Sequence, residues 1–462
     1  MKHFLARLAR NTLLFFVSAA LGVAGYGVVS LLTSCQDSAP SIDAGTFLEN
    51  RAATRVTTFD GKLTRIARTG SPVDLDSDAM GVTYVLEKFG DLKRIGLNAD
   101  GQSEVGTFAR LKTSATDSDL GFSAIAFHPQ FLMTDADGFG CFYVVAAEKA
   151  SSGEADFTPD FGGETEHHQD VVYEFRTNSP FELKFAGDKR EVIRFSQPGA
   201  ENNLQSIAFD AQGFLYLAVG DGANGGTGEK SVSKNASSLQ SAYGKVLRID
   251  PTKRDSTNKQ YGIPERNPFS LAPHALAELW AYGLRAPHSL TFDPFSNSIC
   301  IAEEGLDGTS EINLCTEGAE HFGWDICEGS FLYPPKNGNR IIDGLTPPAV
   351  EFSPDSSEKT HTGSFIYRGE RFPTLVGKLV FASSNGQLMA ASTEEDENGK
   401  EIPLQILDHG SEIDKEIKAL RPGAFGEIFV LCADGDVFEI HKTVTAANHR
   451  KSRRPLVCAV MF

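Results

Sequence analysis

The chain has 462 residues, a formal net charge of −18, 41% hydrophobic residues and 33 phenylalanines. The negative charge argues against nucleic acid as a partner, because phosphate binding needs a basic surface. The length and the apolar content are sufficient for one large core, and all-β domains often reach this size.

The first 35 residues have the pattern of a secretion or anchoring segment. Three basic residues, Lys2, Arg7 and Arg10, precede an uncharged apolar stretch over residues 12–34. The stretch ends in Leu-Thr-Ser-Cys at residues 32–35, which resembles a bacterial lipobox and makes Cys35 the candidate lipidation site. A run of about 23 residues is also long enough to span a bilayer. Both alternatives, lipoprotein and single span, predict a cell-envelope protein whose globular part is periplasmic or extracellular.

After a polar tether at residues 36–56, one strand–turn–strand pattern recurs six times over residues 57–442. A small residue, usually glycine, opens a short alternating apolar run at 81–86, 140–145, 213–218, 298–302, 377–382 and 426–431. Partner strands follow at 90–95, 244–249, 311–314 and 435–440, and three units have a preceding strand at 123–129, 206–211 and 289–294. Such self-similarity predicts an all-β, six-bladed β-propeller. Equivalent blade positions are predicted for Tyr84, Tyr143, Tyr216, Ile299, Val380 and Phe429.

The cysteines divide into groups. Cys141, Cys300 and Cys432 lie in predicted strands and are best interpreted as buried small hydrophobic residues. Cys315 and Cys327 flank a turn, so a disulfide between them is an open alternative in an oxidising compartment. The tail, residues 443–462, is basic at 450–454 and then apolar, which is typical of a loose terminus.

Seven segments in the middle of the chain carry a family resemblance. They are residues 202–222, 243–250, 261–269, 279–287, 311–314, 322–329 and 362–369. Together they resemble the soluble PQQ-dependent aldose sugar dehydrogenases, also called the glucose/sorbosone dehydrogenase family. The resemblance extends from about residue 118 to residue 440. It implies a six-bladed propeller, in agreement with the repeats.

The resemblance also implies a chemistry for the chain: hydride transfer from a sugar C1 to PQQ. In the family a His paired with an Asp is the general base, an Arg steadies the quinone oxygen, and basic side chains hold the PQQ carboxylates. A calcium ion is held partly by two backbone carbonyls. The Asp corresponds to Asp221 and the Arg to Arg285. The calcium loop corresponds to residues 303–308, so Gly305 and Leu306 are the candidate carbonyl ligands.

Several positions depart from the family pattern. The catalytic His falls on Asn202, and a carboxamide cannot accept a proton near neutral pH. The Asn that follows the Arg is Ala286, and a basic residue of the fifth blade falls near Ser384. An arginine pair falls on Glu416 and Lys418. PQQ is a tricarboxylate, and each lost charge-assisted hydrogen bond weakens binding by about 1.5–3 kcal/mol. Binding of PQQ is therefore predicted to be weak or absent.

Other histidines are candidates for a replacement base. His361 precedes Thr362-Gly363 and is the first candidate, because it can reach the central channel. His167 and His168 follow an acidic stretch, and the alternatives for them are a solvated loop, a metal site or a substitute base.

Two functions therefore remain open. The first is a PQQ- and calcium-dependent oxidoreductase of aldose sugars, or of another alcohol, with an altered active site. The alternative is an inactive propeller that binds a partner protein as a scaffold subunit at the cell envelope.

Overall fold

The computed structural model describes residues 54–56, 61–97, 102–115, 120–159, 165–223, 234–306, 308–332, 344–352, 361–384, 386–392, 405–407 and 413–442. The predicted anchor at 1–35, with Cys35, lies outside these residues, as do most of the predicted tether and the tail at 443–462. In the described part, no helix has the length and apolar character needed to cross a membrane.

The described residues form β-strands and a single 3-10 turn at Pro373–Leu375. Two strands come first, β1 (Thr54–Val56) and β2 (Gly61–Arg68). Blade 1 consists of β3 (Pro72–Ser77), β4 (Thr83–Glu87), β5 (Asp91–Leu97) and β6 (Ser103–Arg110). Blade 2 consists of β7 (Phe122–Phe127), β8 (Cys141–Lys149), β9 (His168–Thr177) and β10 (Gly187–Gln197). Blade 3 consists of β11 (Leu204–Phe209), β12 (Leu215–Val219), β13 (Lys245–Ile249) and β14 (Leu279–Tyr282).

The second half of the chain builds the remaining blades. Blade 4 consists of β15 (Pro287–Asp293), β16 (Ser298–Glu304), β17 (Ser310–Cys315) and β20 (Val350–Phe352), with a hairpin of β18 (Cys327–Glu328) and β19 (Phe331–Leu332) inserted before its last strand. Blade 5 consists of β21 (His361–Ile366), β22 (Lys378–Ser383), β23 (Leu388–Ser392) and β24 (Gln405–Leu407). Blade 6 consists of β25 (Ile417–Pro422), β26 (Ile428–Cys432) and β27 (Asp436–Lys442).

The six sheets close into a ring. The first strand of each blade packs on the first strand of the next, in the order β3, β7, β11, β15, β21, β25 and back to β3. Strand β2 supplies the outer strand of blade 6 by pairing with β27, and β1 adds a fifth strand to blade 5 by pairing in parallel with β24. The prediction of an all-β, six-bladed propeller is confirmed.

The glycines of the sequence repeat have a conformational reason. Gly81, Gly140, Gly213, Gly377 and Gly426 all have positive φ angles, between 67° and 90°, just before the second strand of their blades. A residue with a Cβ is strained in this left-handed conformation, so glycine is favoured. In blade 4 the repeat begins with Ser298 instead, and the preceding Asn297 takes the left-handed conformation with φ 56°.

The predicted equivalence of six blade residues is also confirmed. Each one lies in the second strand, opposite the penultimate residue of the first strand of its blade. The pairs are Tyr84 with Asp76, Tyr143 with Ala126, Tyr216 with Ala208, Ile299 with Phe292, Val380 with Phe365 and Phe429 with Arg421.

The described cysteines are all buried thiols. Cys141, Cys300 and Cys432 lie in second strands, as the sequence predicts. Cys315 and Cys327 are not joined, so the disulfide alternative is wrong for this structure. Instead the Cys315 thiol donates to Glu320 Oε2 at 2.9 Å, and burial raises the pKa of Cys315 well above its usual range. This thiol stays protonated at neutral pH and is a poor nucleophile.

Candidate functional site

The ring has two faces, which differ in the strand ends that they carry. The mouth face is where the six first strands begin and the second strands end; the base face is opposite. A cavity opens at the mouth face, lined by residues near the start of all six first strands. These are Val73, Asp74, Ser123, Gln205, His288, Ser289, Thr362, Gly363, Lys418, Ala419 and Arg421.

A β-bulge at the start of every first strand shapes this cavity. The strand pairing skips the second residue of each first strand, and in β21 it skips two. A bulged residue leaves the ladder and its side chain is redirected. The six blades therefore each contribute one such residue to the cavity lining: Val73, Ser123, Gln205, His288, Thr362 and Lys418.

The site residues predicted within the propeller all lie at strand ends on the mouth face. Asn202, Arg285 and Ala286 lie just before first strands, whereas Asp221, Gly305, Leu306 and Ser384 lie just after second strands. His361 begins β21 and Lys418 is the second residue of β25. The structure thus brings these residues together on one face.

Asn202 and Asp221 are in direct contact in blade 3. The Asn202 amide donates to Asp221 Oδ1 at 3.1 Å, and the backbone N–H of Ala223 donates to the same oxygen at 2.9 Å. The indole of Trp324 donates to Asp221 Oδ2 at 2.8 Å. Asp221 is fully buried, and burial raises its pKa to about 6. Asp221 is therefore shielded from solvent and organises the site through three hydrogen bonds that it accepts within the protein.

The backbone around Asn202 is tightly constrained. Asn202 has a left-handed φ of 53°, a conformation that asparagine tolerates better than most residues. A Cβ on Gly220 would lie 2.1 Å from the Asn202 carbonyl oxygen. The two segments can approach this closely only because residue 220 is glycine.

Replacing Gly220 with alanine is expected to displace the Asn202 segment and to lower the free energy of unfolding by about 1–3 kcal/mol. Chemical denaturation measures the loss. Gly106→Ala is the matched control, because nothing lies within 4 Å of a Cβ there. Equal stability of the two variants would contradict the packing described for Gly220.

Arg285 links blade 3 to blade 4. Its carbonyl accepts the Asp221 N–H at 2.8 Å, its own N–H donates to Glu303 Oε2 at 2.7 Å, and its guanidinium donates to the Glu304 carbonyl at 3.0 Å. Its guanidinium also lies 6.0 Å from the centre of the Trp324 ring. Arg285 is thus held by an acidic segment rather than directed freely into the cavity.

Behind Arg285 lies a buried pair of carboxyl groups. The Asn313 amide donates to both Glu303 Oε1 and Glu311 Oε1, each at 2.9 Å. Burial, followed by the neighbouring Glu311, raises the pKa of Glu303 well above its usual range. Such a pair retains a proton rather than carrying two charges.

A buried lysine that no sequence pattern singles out supports the same region. Lys245 is fully buried and donates to the carbonyls of Asn235, Ala236 and Tyr243, each at 2.7 Å. Burial lowers its pKa to about 7. All three protons of the ammonium group are used within the protein, so Lys245 is structural here.

The predicted calcium loop keeps the backbone feature on which the prediction depends. Gly305 and Leu306 follow β16 directly, and a Cβ on Gly305 would lie 2.1 Å from Glu328 Oε1. The close carboxylate and the backbone carbonyls are oxygen donors of the type that calcium prefers. Among the described residues, no group of three or more His, Cys, Asp and Glu side chains is arranged to hold a metal. Any ion here would rely on backbone carbonyls.

The described mouth does not fit a tricarboxylate such as PQQ. Lys418 donates to Glu416 at 2.6 Å, and Arg421 donates to Asp74 Oδ1 at 3.0 Å. Ser384 and Ala286 carry no charge, and the carbonyl of Ser384 accepts the Ile417 N–H at 3.4 Å. The cations at this mouth are thus largely neutralised by carboxylates of the protein.

Of the two histidines that follow the acidic stretch, one is buried rather than solvated. His168 is the first residue of β9 and is 1% exposed. Its Nε2 lies 3.3 Å from Asp170 Oδ1 and 3.5 Å from Asn203 Nδ2, and its Nδ1 lies 3.0 Å from the Nδ1 of the less buried His167. A His–Asp pair therefore lies next to Asn203, the neighbour of Asn202.

The fold and site together define a six-bladed propeller with a polar cavity at one end of its axis. The family sequence profile of glucose/sorbosone dehydrogenases matches residues 70–439, and the chain belongs to this family. It is 29% identical over 386 residues to the HIPL1 protein of Arabidopsis thaliana, covering 74% of this chain and 55% of that protein.

Two other curated relatives have different names. The aldose sugar dehydrogenase YliI of Escherichia coli strain K12 is 27% identical over 229 residues, 49% of this chain and 55% of that protein. The human Hedgehog-interacting protein is 26% identical over 243 residues, 51% of this chain and 31% of that protein. The chain thus spans about half the length, or less, of these relatives.

Solved structures agree on the fold. A glucose dehydrogenase crystal structure superposes with a TM-score of 0.61 at 20% identity, covering 83% of this chain and 100% of that one. The PQQ-bound aldose sugar dehydrogenase of Streptomyces coelicolor gives a TM-score of 0.57 at 17% identity, covering 83% and 98%. At these identities the likeness concerns the fold alone.

Proposed function

We propose that this chain is a glucose/sorbosone dehydrogenase-family propeller that binds a polar ligand at its mouth and does not oxidise aldoses. The observation that carries the proposal is the contact between Asn202 and Asp221. At the position where the family resemblance implies a base, a carboxamide donates to a carboxylate whose two oxygens are both occupied. The carboxamide cannot accept a proton near neutral pH, and the Asp221 carboxylate is fully buried, away from a substrate hydroxyl.

The charges around the mouth support the same proposal. A bound tricarboxylate would have to displace Glu416 from Lys418 and Asp74 from Arg421 before it gained their positive charges. Separating the exposed Lys418–Glu416 pair costs about 1 kcal/mol or less, whereas separating the largely buried Arg421–Asp74 pair costs a charge-assisted hydrogen bond of about 1.5–3 kcal/mol. Tight PQQ binding is therefore not expected.

The lining of the cavity indicates the class of ligand. The hydroxyls of Ser123 and Thr362, the amide of Gln205 and the imidazole of His288 come from four different blades. These groups are mostly neutral donors and acceptors, and such a set suits hydroxyl-rich molecules such as sugars. The cavity volume is about 30 Å³, which admits a single hydroxyl-sized group, so we propose that a neutral sugar, or a sugar-like group on a larger partner, docks over the mouth and inserts one hydroxyl.

Reconstitution of the purified full chain with PQQ and calcium tests the proposal. We expect no absorbance band of a bound quinone and no dye-linked oxidation of glucose, both for the wild-type protein and for Asn202→His. A related aldose sugar dehydrogenase serves as the positive control. Oxidation by the wild-type chain at ordinary enzymatic rates would refute the proposal. Activity of Asn202→His alone would show that the base was lost but the cofactor site was kept.

The second candidate is an active dehydrogenase with an altered site, and one observation favours it. His168 and Asp170 form a His–Asp pair beside Asn203, and His167 contacts His168. If this pair replaces the missing base, His168→Gln should abolish a PQQ-dependent activity that His361→Gln leaves intact. Calcium that raises the melting temperature, with no effect of PQQ, would favour the binding propeller instead.

We also propose that the propeller is held at the cell envelope, outside the cytoplasm. The support is the sequence of residues 1–35, in which basic residues precede a long uncharged apolar stretch. The name of the human Hedgehog-interacting protein points separately to a protein partner for that relative. A partner protein at the envelope is therefore compatible with the binding function.

Changing Cys35 to alanine is expected to abolish incorporation of labelled fatty acid if residues 32–35 are a lipobox. Membrane fractionation is the second readout, because an uncleaved span keeps the variant in the membrane. Full protection of the propeller from protease in spheroplasts would contradict the proposed location.

A further inference from the structure

The large apolar side chains that are exposed are distributed very unevenly over the described propeller. Eleven are more than a third exposed. Nine of them lie in loops or at strand ends on the base face: Met80, Leu97, Met133, Phe181, Leu183, Leu271, Phe295, Val376 and Phe425. The other two are Phe89, at the mouth face, and Val105, on an outer strand. We call the nine residues of the base face the apolar base.

The apolar base is arranged around the axis of the ring. Met80, Met133, Phe295, Val376 and Phe425 belong to the loops between first and second strands in five of the six blades. Of the other four, Leu97 ends the third strand of blade 1, and Phe181, Leu183 and Leu271 belong to loops between third and fourth strands, farther from the axis. Phe295 is 81% exposed and Leu271 is 96% exposed. A Cβ on Gly81, next to Met80, would lie 2.7 Å from the Phe425 ring, so exposed apolar residues of neighbouring blades adjoin there. Adjoining exposed apolar side chains mark an interaction surface.

The chain segments outside the propeller join it at this same face. Third strands run from the mouth to the base, so β27 ends at the base face with Lys442, where residues 443–462 follow. Fourth strands run from the base to the mouth, and β1 is parallel to β24, so Thr54 also lies at the base. The described chain therefore begins, at Thr54, and ends, at Lys442, on the side of the apolar base.

The composition of these segments identifies the occupant. The first contains the uncharged apolar stretch 12–34, and the second contains the basic group 450–454 followed by an apolar end. Apolar runs and basic clusters are both attracted to membranes, the basic clusters to anionic headgroups. A face-to-face pairing of two copies is disfavoured, because both chain segments would have to leave through the interface.

We propose that the apolar base lies on the surface of a lipid bilayer and that the mouth faces away from it. The proposal depends on the proposed envelope attachment. It adds an orientation, with apolar side chains around the axis inserted at the boundary between headgroups and acyl chains, about 5–10 Å deep as for other interfacial segments. The ligand cavity then opens toward the medium.

Tryptophan fluorescence in vesicles with brominated acyl chains tests the orientation. The full chain is reconstituted in vesicles of phosphatidylcholine and phosphatidylglycerol as Phe295→Trp, Met133→Trp and the matched control Phe89→Trp at the mouth face. The natural Trp280 and Trp324 are buried and give a constant background. We expect the bromines to quench on the order of half of the added emission at positions 295 and 133, and little at 89.

Each other outcome overturns the proposal in a recognisable way. A chain that floats with the vesicles but is not quenched at 295 and 133 is anchored without the base contact. A chain that does not float refutes the attachment itself. If Phe295→Ser and Leu271→Ser change the oligomeric state in detergent while quenching is absent, the base is an interface between copies. Melting temperatures equal to that of the wild type ensure that the tryptophan variants report the folded propeller.

Discussion

Replacing Arg421 with methionine is expected to lower the free energy of unfolding by about 3–5 kcal/mol, the usual cost of leaving one partner of a buried ion pair alone. Arg421 extends from blade 6 across the cavity, donating to Asp74 Oδ1 of blade 1 at 3.0 Å and to Ser289 Oγ of blade 4 at 3.0 Å. The two charged side chains are 12% and 4% exposed. Without Arg421, the Asp74 carboxylate is left buried without its counter-charge.

The pH dependence separates this effect from a loss of packing. Burial already raises the pKa of Asp74, and Arg421 opposes the increase. In the variant the carboxyl resists ionisation still more strongly, so the loss of stability is largest where the carboxyl is ionised and shrinks as the pH falls and the carboxyl becomes protonated in both proteins. Lys418→Met is the control, because its ion pair with Glu416 is exposed and is worth about 1 kcal/mol or less. A deficit for Arg421→Met no larger than this, or independent of pH, would contradict the prediction.

Replacing Asp221 with alanine is expected to cost about 3 kcal/mol or more, because three buried donors lose their acceptor at about 1–3 kcal/mol each. The donors are the Asn202 amide, the Ala223 N–H and the Trp324 indole. Chemical denaturation followed by tryptophan fluorescence measures the loss, and it also reports whether Trp324 becomes exposed.

Asp221→Asn isolates the charge of this carboxyl. The pKa of Asp221 is about 6 in the folded protein, raised by burial from an ordinary value of 3.8. Between these values the folded state binds more protons than the unfolded state, so stability falls as the pH rises. Ionisation of Asp221 thus lowers the free energy of unfolding, and this loss reaches its full value of about 3 kcal/mol above pH 6. We expect Asp221→Asn to lack this slope between pH 4 and pH 6, and equal slopes in both proteins would refute the assignment.

The repeats make the ring predictable, because each blade repeats its own turn chemistry. The glycine before a second strand meets a conformational requirement, a positive φ angle. In blade 4, where the repeat begins with Ser298, the preceding residue Asn297 takes the positive φ instead. The family resemblance also predicts that the site residues lie at the mouth. It fixes which strand each residue precedes or follows, and the strand order then decides the face on which the residue lies.

The hydrogen-bond partners of the buried polar side chains cannot be predicted from the sequence in this way. Lys245 looks like an ordinary strand residue, and its three carbonyl acceptors come from a connection whose path the sequence does not reveal. His168 follows an acidic stretch, and nothing nearby in sequence indicates its contact with Asn203. The ring of bulges does have a sequence signal: Phe-Ser-Ala-Ile, Leu-Gln-Ser-Ile, Pro-His-Ser-Leu and Ile-Lys-Ala-Leu each place a polar residue before a small one at the start of a first strand.

The pairing of β2 with β27 has a consequence for biosynthesis. This pairing joins residues 61–68 to residues 436–442, near the two ends of the described propeller. Strand β1 likewise pairs with β24, which is synthesised much later. A ribosome must therefore translate nearly the whole propeller before the early strands find their partners. Until then two strand edges are open to pairing with other chains, and contacts so distant in sequence form slowly. Chaperone protection of the nascent amino-terminal strands is thus most needed during the last part of translation.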